Sequence, residues 1–253
     1  MAPFFYAVID RIIHLIISHS NLIHFMNANY DNLPSTLMGL GFGLDPQLMP
    51  ELERAIGLDQ PEFTLYAEAR FDDSTRIEAK LYISKSEQGR LHRLIMFDAR
   101  LYYSTEPVRN RSHIFLGDSI TFKEAFNLLQ GRPVQKALQT PWTGKSSVWI
   151  QLHFDEKDVT GAYKLKQYSE EYNYDLEKVL EKYPIAELDD AGKKAALIVS
   201  LKEGNLAPVT AMKATKTERW AIAANPQFKV INIYPSGKYH PTARIDSDRQ
   251  VYQ

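Results

Sequence analysis

The 253-residue sequence contains no cysteine, which excludes disulfides, thiolate zinc sites, iron–sulfur clusters and cysteine nucleophiles together. The formal net charge is −1, so the chain as a whole has no electrostatic attraction to nucleic acid or to an acidic membrane surface. Charged residues make up 24% and hydrophobic residues 44%, which excludes a disordered or collagen-like chain. The length predicts a globular protein with a sizeable core.

Motifs for catalysis or cofactor binding are also missing. The sequence contains no G-x-G-x-x-G, H-E-x-x-H or G-x-S-x-G pattern. Lys145 follows Thr143-Gly144 as in a phosphate-binding loop, but Gln139 replaces the first glycine of that motif and a predicted strand follows. The sequence therefore predicts no cofactor and no metal, and it favours a non-enzymatic protein.

Residues 1–25 differ from the rest, because sixteen are apolar and only Asp10 and Arg11 are charged. A membrane span is disfavoured because polar residues interrupt the run. A secretory signal is disfavoured because the first ten residues contain no lysine or arginine. An amphipathic helix docked on the body stays open, since isoleucines recur at near-helical spacing. The favoured interpretation of this apolar leader is a start codon placed too early, with Met26 as the true first residue.

The body of the chain predicts an α+β fold of antiparallel β-meanders with short flanking helices, in two similar-sized halves. In the N-terminal half, two short helices precede a series of strands with alternating apolar residues. The predicted strands cover 63–71, 77–83, 92–103 and 113–116. Their linkers are too short for crossover helices, which favours antiparallel pairing. Thr121 and Glu124 have capping-box spacing, which predicts the start of another helix.

Pro141 and Gly144 place the predicted boundary between the halves at 139–145. The N-terminal half is 26–140 and the C-terminal half is 146–240. The C-terminal half predicts a strand pair, two helices and three further strands. These elements cover 148–154, 163–168, 175–183, 190–201, 208–213, 218–223 and 228–234. The polar tail, 241–253, is predicted to fray.

The most distinctive local feature combines aromatic and basic residues. Residues 155–190 carry a net charge of −6 and residues 205–240 a net charge of +4. Exposed aromatic rings can stack on unpaired bases while cations hold phosphates. The candidate binding surface comprises Lys164, Lys166, Tyr168, Tyr172, Tyr174, Arg219, Trp220 and Lys229. Core packing is the favoured competing interpretation, because alternation places Trp220 and Ile222 on one strand face, and Phe228, Val230 and Tyr234 on another.

Three stretches carry a resemblance to a protein family. They are residues 26–43 with Gly41-Phe42-Gly43, the run from Trp149 to Lys178 with Tyr172-Asn173-Tyr174, and Ala224-Asn225-Pro226-Gln227-Phe228-Lys229. Over most of residues 26–253 the chain resembles uncharacterised bacterial proteins of a domain of unknown function. Those proteins are carried on conjugative transposons and related mobile elements. The resemblance excludes residues 1–25, which also favours Met26 as the start, and it implies no catalytic residue.

The sequence thus predicts a cytoplasmic, non-enzymatic accessory protein of a mobile element that binds a protein partner or nucleic acid. The alternative is an enzyme whose site is assembled from scattered acids, tyrosines and His153. A deep pocket where titratable groups converge would favour that alternative. Membrane association through residues 1–25 is a third, disfavoured possibility.

Overall fold

A computed structural model describes seven stretches of the chain, 33–86, 91–103, 111–116, 120–140, 144–159, 161–212 and 216–235. These residues form five α-helices and ten β-strands in three antiparallel sheets, which confirms the predicted α+β fold with meanders. The predicted leader 1–25, the proposed start at Met26 and the predicted tail 241–253 lie outside these stretches. Among the helices that the structure describes, none is long and apolar enough to cross a membrane.

The first sheet is a four-stranded meander in the order β1-β2-β3-β4. Its strands are β1 (Glu62–Ala69), β2 (Thr75–Lys85), β3 (His92–Tyr103) and β4 (Arg111–Leu116). Helices α1 (Leu33–Gly39) and α2 (Leu48–Gly57) precede it. Alternation along β2 buries one face, with Ile77 and Leu81 fully buried, because successive strand residues point to opposite sides.

Helix α3 (Phe122–Leu129) begins at the predicted capping box. The Thr121 hydroxyl accepts a hydrogen bond from the Glu124 amide at 3.1 Å. The Thr121 amide donates to the Glu124 carboxylate at 2.8 Å, so both orphan donors at the helix start are satisfied. The Phe122 amide also donates to the Leu40 carbonyl at 2.8 Å, which fixes α3 against the segment after α1.

The middle sheet contains a strand that the sequence prediction missed. It consists of β5 (Val134–Thr140), β6 (Gly144–Lys157) and β7 (Tyr163–Tyr168), in that order. Strand β5 pairs with β6 from Val134 opposite Ile150 as far as Thr140 opposite Gly144. The division into two domains stays a prediction.

The third sheet follows two short helices and has the order β10-β9-β8. These elements are α4 (Leu176–Leu180), α5 (Ala191–Lys202), β8 (Ala207–Met212), β9 (Thr217–Asn225) and β10 (Val230–Pro235). The predicted last strand started too early, because Pro226–Phe228 forms a 3-10 helix. The expectation that Phe228 shares a core-facing strand side is therefore wrong. The buried residue of the observed strand β10 is Ile231.

Strand β6 serves two hydrophobic cores. Val148, Ile150 and Leu152 belong to the first core, with α3 and the first sheet. Trp149, between them, belongs to the second core, with α4, α5 and the third sheet. Because neighbouring residues of a strand point to opposite faces, the middle sheet packs against one core on each side.

Candidate functional site

The two aromatic and basic regions predicted from the sequence meet in the structure. The Tyr172 hydroxyl donates a hydrogen bond to the Gln227 carbonyl at 2.8 Å. The Tyr174 hydroxyl donates to the Val230 carbonyl at 2.9 Å and accepts from the Asn225 amide at 3.3 Å. These bonds hold the segment after β7 against the turn before β10.

A stack of two tyrosines and one lysine lies at this junction. The ring centres of Tyr168 and Tyr172 are 4.9 Å apart, with an interplanar angle of 59°. The Lys229 Nζ lies 4.8 Å from the Tyr172 ring centre, a cation–π distance. Tyr168 is buried, whereas Tyr172 is 37% exposed and Lys229 is exposed. The outer part of the stack therefore lies at the protein surface.

Two further lysines continue from this stack along β7. Lys164, Lys166 and Tyr168 share one strand face at intervals of about 7 Å, because every second residue points the same way. Lys164 is exposed and bonds to Glu156 at 3.2 Å, whereas Lys166 is half-buried. We call this set the lysine–tyrosine ribbon; it consists of Lys164, Lys166, Tyr168, Tyr172 and Lys229.

The other predicted surface residues are placed differently. Tyr174 is mostly buried beside Trp149, with ring centres 5.4 Å apart, and burial raises the pKa of its phenol. Trp220 packs against the second core, and its Nε1 donates to Glu218 at 3.3 Å. Arg219 is exposed on the opposite face of β9. Core packing thus accounts for Tyr174 and Trp220, and also for Tyr168, which is a buried member of the second core. Arg219 lies outside the ribbon.

Phe228 is a surface residue that the sequence reasoning placed in the core. Its side chain is 45% exposed and directly precedes Lys229 of the ribbon. The Asn225 side chain accepts a hydrogen bond from the Phe228 amide at 3.3 Å and caps the 3-10 helix. The Asn225-Pro226 pair was the available sequence signal, since such pairs favour a turn over a continuing strand.

His153, the residue named for an enzymatic alternative, lies in a small charged cluster. Its Nδ1 is 3.1 Å from a Glu156 oxygen, and the same carboxylate bonds to Lys164. The hydrogen bond from Lys164, followed by the charge of His153, lowers the pKa of Glu156. Among the described residues, no three histidine, aspartate or glutamate side chains are grouped to hold a metal ion.

A cleft of about 270 Å³ lies beside the start of α3, with Leu40, Phe71, Lys123 and Glu203 among its lining residues. The Lys123 Nζ is 4.4 Å from the Phe71 ring centre. Burial, followed by the charge of Arg132, lowers the pKa of Lys123 to about 8, against an opposing effect of Asp72. Sequence reasoning missed Lys123, because a single lysine on a short helix forms no motif.

No family model, curated protein or solved structure matches the chain. The resemblance to proteins of conjugative transposons therefore stays a prediction.

Proposed function

We propose that the chain is a cytoplasmic, non-enzymatic accessory protein of a mobile genetic element that binds single-stranded nucleic acid through the lysine–tyrosine ribbon. The observation that supports this proposal is the contact of Lys229 with Tyr172 beside the exposed ring of Phe228. Rings at the surface next to cations are the arrangement with which proteins stack unpaired bases and hold phosphates.

The protein itself holds Tyr172 of the ribbon in place. Its hydroxyl bonds to the Gln227 carbonyl, so ordering this ring on binding costs little entropy. The capped 3-10 helix fixes the backbone of Phe228, which adjoins the ribbon. The open side of Phe228 is available to a base, and Lys229 can move from the Tyr172 ring to a phosphate. Stacking tolerates every base, so we expect little sequence preference.

The basic part of the ribbon supplies the charge. Lys166 and Lys229 form no ion pair with any carboxylate that the structure describes, so both are available to phosphates. Lys164 shares Glu156 with His153 and contributes less. A surface with two available cations predicts weak, salt-dependent binding rather than tight binding.

Binding can be tested by fluorescence anisotropy with a labelled oligothymidine of about 15 nucleotides at low salt. Lys166→Ala and Lys229→Ala should each weaken binding and reduce the slope of log K against log salt by about 0.7. Phe228→Ala should weaken binding by about 1–3 kcal/mol, the range for loss of one stacked base.

The matched control is Lys178→Ala, which removes a lysine of 79% side-chain exposure on α4, outside the ribbon. It should bind like the wild type. If the wild type does not bind at low salt, or if the ribbon variants behave like this control, the nucleic-acid proposal fails. A protein partner, sought by pull-down from the native host, then becomes the leading function.

A further inference from the structure

The cleft beside α3 surrounds one amine with aromatic and apolar side chains. The Lys123 Nζ lies 4.4 Å from the Phe71 ring centre and 4.5 Å from the Phe126 ring centre. Leu40 and Leu44 line the same cleft, and Leu44 is 61% exposed at its rim. A half-buried lysine is therefore accessible from solvent through an opening with apolar walls.

The acids around Lys123 have other partners. Glu124, its neighbour on α3, bonds to Lys136 at 2.8 Å. Asp72 accepts hydrogen bonds from the turn that follows it, and Glu203 accepts one from Asn205 at 3.1 Å. Lys123 forms no ion pair with any carboxylate that the structure describes.

The lining of the cleft favours a ligand with an apolar body. Leu40, Leu44 and Phe71 line it and can bury such a body. The charges at the cleft are mixed, since Glu203 lines it and Glu124, which also lines it, is paired with Lys136 at 2.8 Å. Among uncharged groups, a carbonyl carbon is the electrophile with which a lysine amine reacts reversibly.

We propose that Lys123 is the nucleophile of a carbonyl-binding site, in which a small aldehyde or ketone with an apolar body enters the cleft and condenses with Nζ. The site is separate from the lysine–tyrosine ribbon, and the inference does not rest on nucleic-acid binding. Its ligand is a carbonyl compound small enough for a cleft of about 270 Å³.

The condensation is balanced without a further reactant. The neutral amine attacks the carbonyl carbon, so that a C–N bond forms, the π bond of the carbonyl breaks, and one proton passes from the nitrogen to the carbonyl oxygen. The carbinolamine then loses its hydroxyl group and a nitrogen proton as water, which leaves a C=N imine. With a pKa of about 8, about a tenth of the amine is neutral at pH 7, roughly 200-fold more than for an ordinary lysine.

Reductive trapping on the full chain tests the proposal. Benzaldehyde supplies the carbonyl, and cyanoborohydride delivers a hydride to the imine carbon while nitrogen takes a proton. Peptide mass spectrometry then measures labelling of Lys123 against Lys178 and Lys216, which are 79% and 66% exposed. We expect Lys123 to be labelled about tenfold faster at pH 7, because its lower basicity offsets part of the gain in neutral amine.

Two further measurements separate a binding site from a merely reactive amine. The labelling rate of Lys123 should have its midpoint near pH 8. Benzyl alcohol, which has the same body and no carbonyl, should slow the labelling of Lys123 alone. Equal rates for the three lysines overturn the inference, and so does fast labelling that benzyl alcohol leaves unchanged. Because the references lie in the same wild-type chain, no outcome depends on whether a variant folds.

Discussion

The buried Arg132 donates a hydrogen bond through Nε to the Gly204 carbonyl at 2.8 Å and so joins the loop after α3 to the loop after α5. Arg132 also donates to the Asn127 side-chain oxygen at 2.6 Å. The Asn127 amide group in turn donates to the Glu203 carbonyl at 2.8 Å. The first core is thus joined to the second by a polar network as well as by β6. In such a network, loss of one member leaves buried partners without a hydrogen bond.

Arg132→Met should lower the free energy of unfolding by about 3 kcal/mol, because it keeps the apolar stem but removes the donors to Asn127 and Gly204. Urea denaturation followed by circular dichroism measures this change. Arg219→Met is the control, since Arg219 is exposed and its replacement should change stability by less than about 0.5 kcal/mol. Equal denaturation midpoints for the two variants would contradict a stabilising role for the network.

Gly204 tests close packing at the same junction, with Gly161, between β6 and β7, as its matched control. Both have a left-handed backbone, with φ of 77° and 86°. A Cβ added at Gly204 would lie 2.9 Å from the Pro133 carbonyl oxygen, whereas one added at Gly161 meets nothing within 4 Å. Gly161→Ala should therefore lower the free energy of unfolding by about 1–2 kcal/mol, the strain of an alanine in the left-handed backbone conformation. Gly204→Ala should lower it by about 1–3 kcal/mol more, because the added methyl group has no room and overpacks the site.

Thermal and urea denaturation of the two glycine variants provide the comparison. Similar losses of stability at both positions would show that the loops after α3 and α5 can separate without cost. That result would count against a rigid junction, since a rigid backbone oxygen cannot move away from the added methyl group.

Local chemistry in the sequence accounts for most of the elements. The Thr121–Glu124 pair predicted the start of α3, because both partners of a capping box lie within one helical turn. The third predicted strand, 92–103, has the bounds of β3, and alternation predicted the two strands before it. Strand β5 was missed because its apolar residues, Val134, Ala137 and Leu138, do not alternate along the chain.

The candidate site was less predictable, because its contacts join distant parts of the chain. Composition identified Tyr172 and Lys229 separately, but no local pattern places a lysine over a tyrosine from another segment. The environment of Lys123 depends on Phe71 from the segment after β1 and on Glu203 from the end of α5. Such long-range packing sets which polar side chains are buried, and single-sequence patterns contain little information about it.

Tyr174 and Tyr168 should respond differently to loss of the hydroxyl group. The Tyr174 hydroxyl bonds to the Val230 carbonyl and the Asn225 amide, so Tyr174→Phe leaves both groups without that partner. We expect Tyr174→Phe to lower the free energy of unfolding by about 1–3 kcal/mol. The buried Tyr168 hydroxyl has no hydrogen-bond partner among the described residues, so Tyr168→Phe should be neutral or slightly stabilising. Urea midpoints measure both, and equal losses would show that Tyr168 has a polar partner.

The lowered pKa of Lys123 predicts how stability changes with pH. Below about pH 8 the amine is protonated in both the folded and the unfolded chain, so the cost of burying its charge is fully present. Between about 8 and 10.5 the unfolded chain binds a proton that the folded chain does not. The free energy of unfolding therefore rises with pH across this window, and above 10.5 the gain is complete.

Lys123→Met removes this titration and isolates it from other groups. Tyr174, whose pKa is raised by burial, lowers stability above about pH 10, but it does so equally in the wild type and in the variant. The difference in unfolding free energy between the two proteins should therefore change only through Lys123. Urea denaturation at several values between about pH 7.5 and about pH 10 should show the wild type gaining stability relative to the variant. A difference that stays constant over this range would show that the ammonium is as well solvated in the folded chain as in the unfolded one.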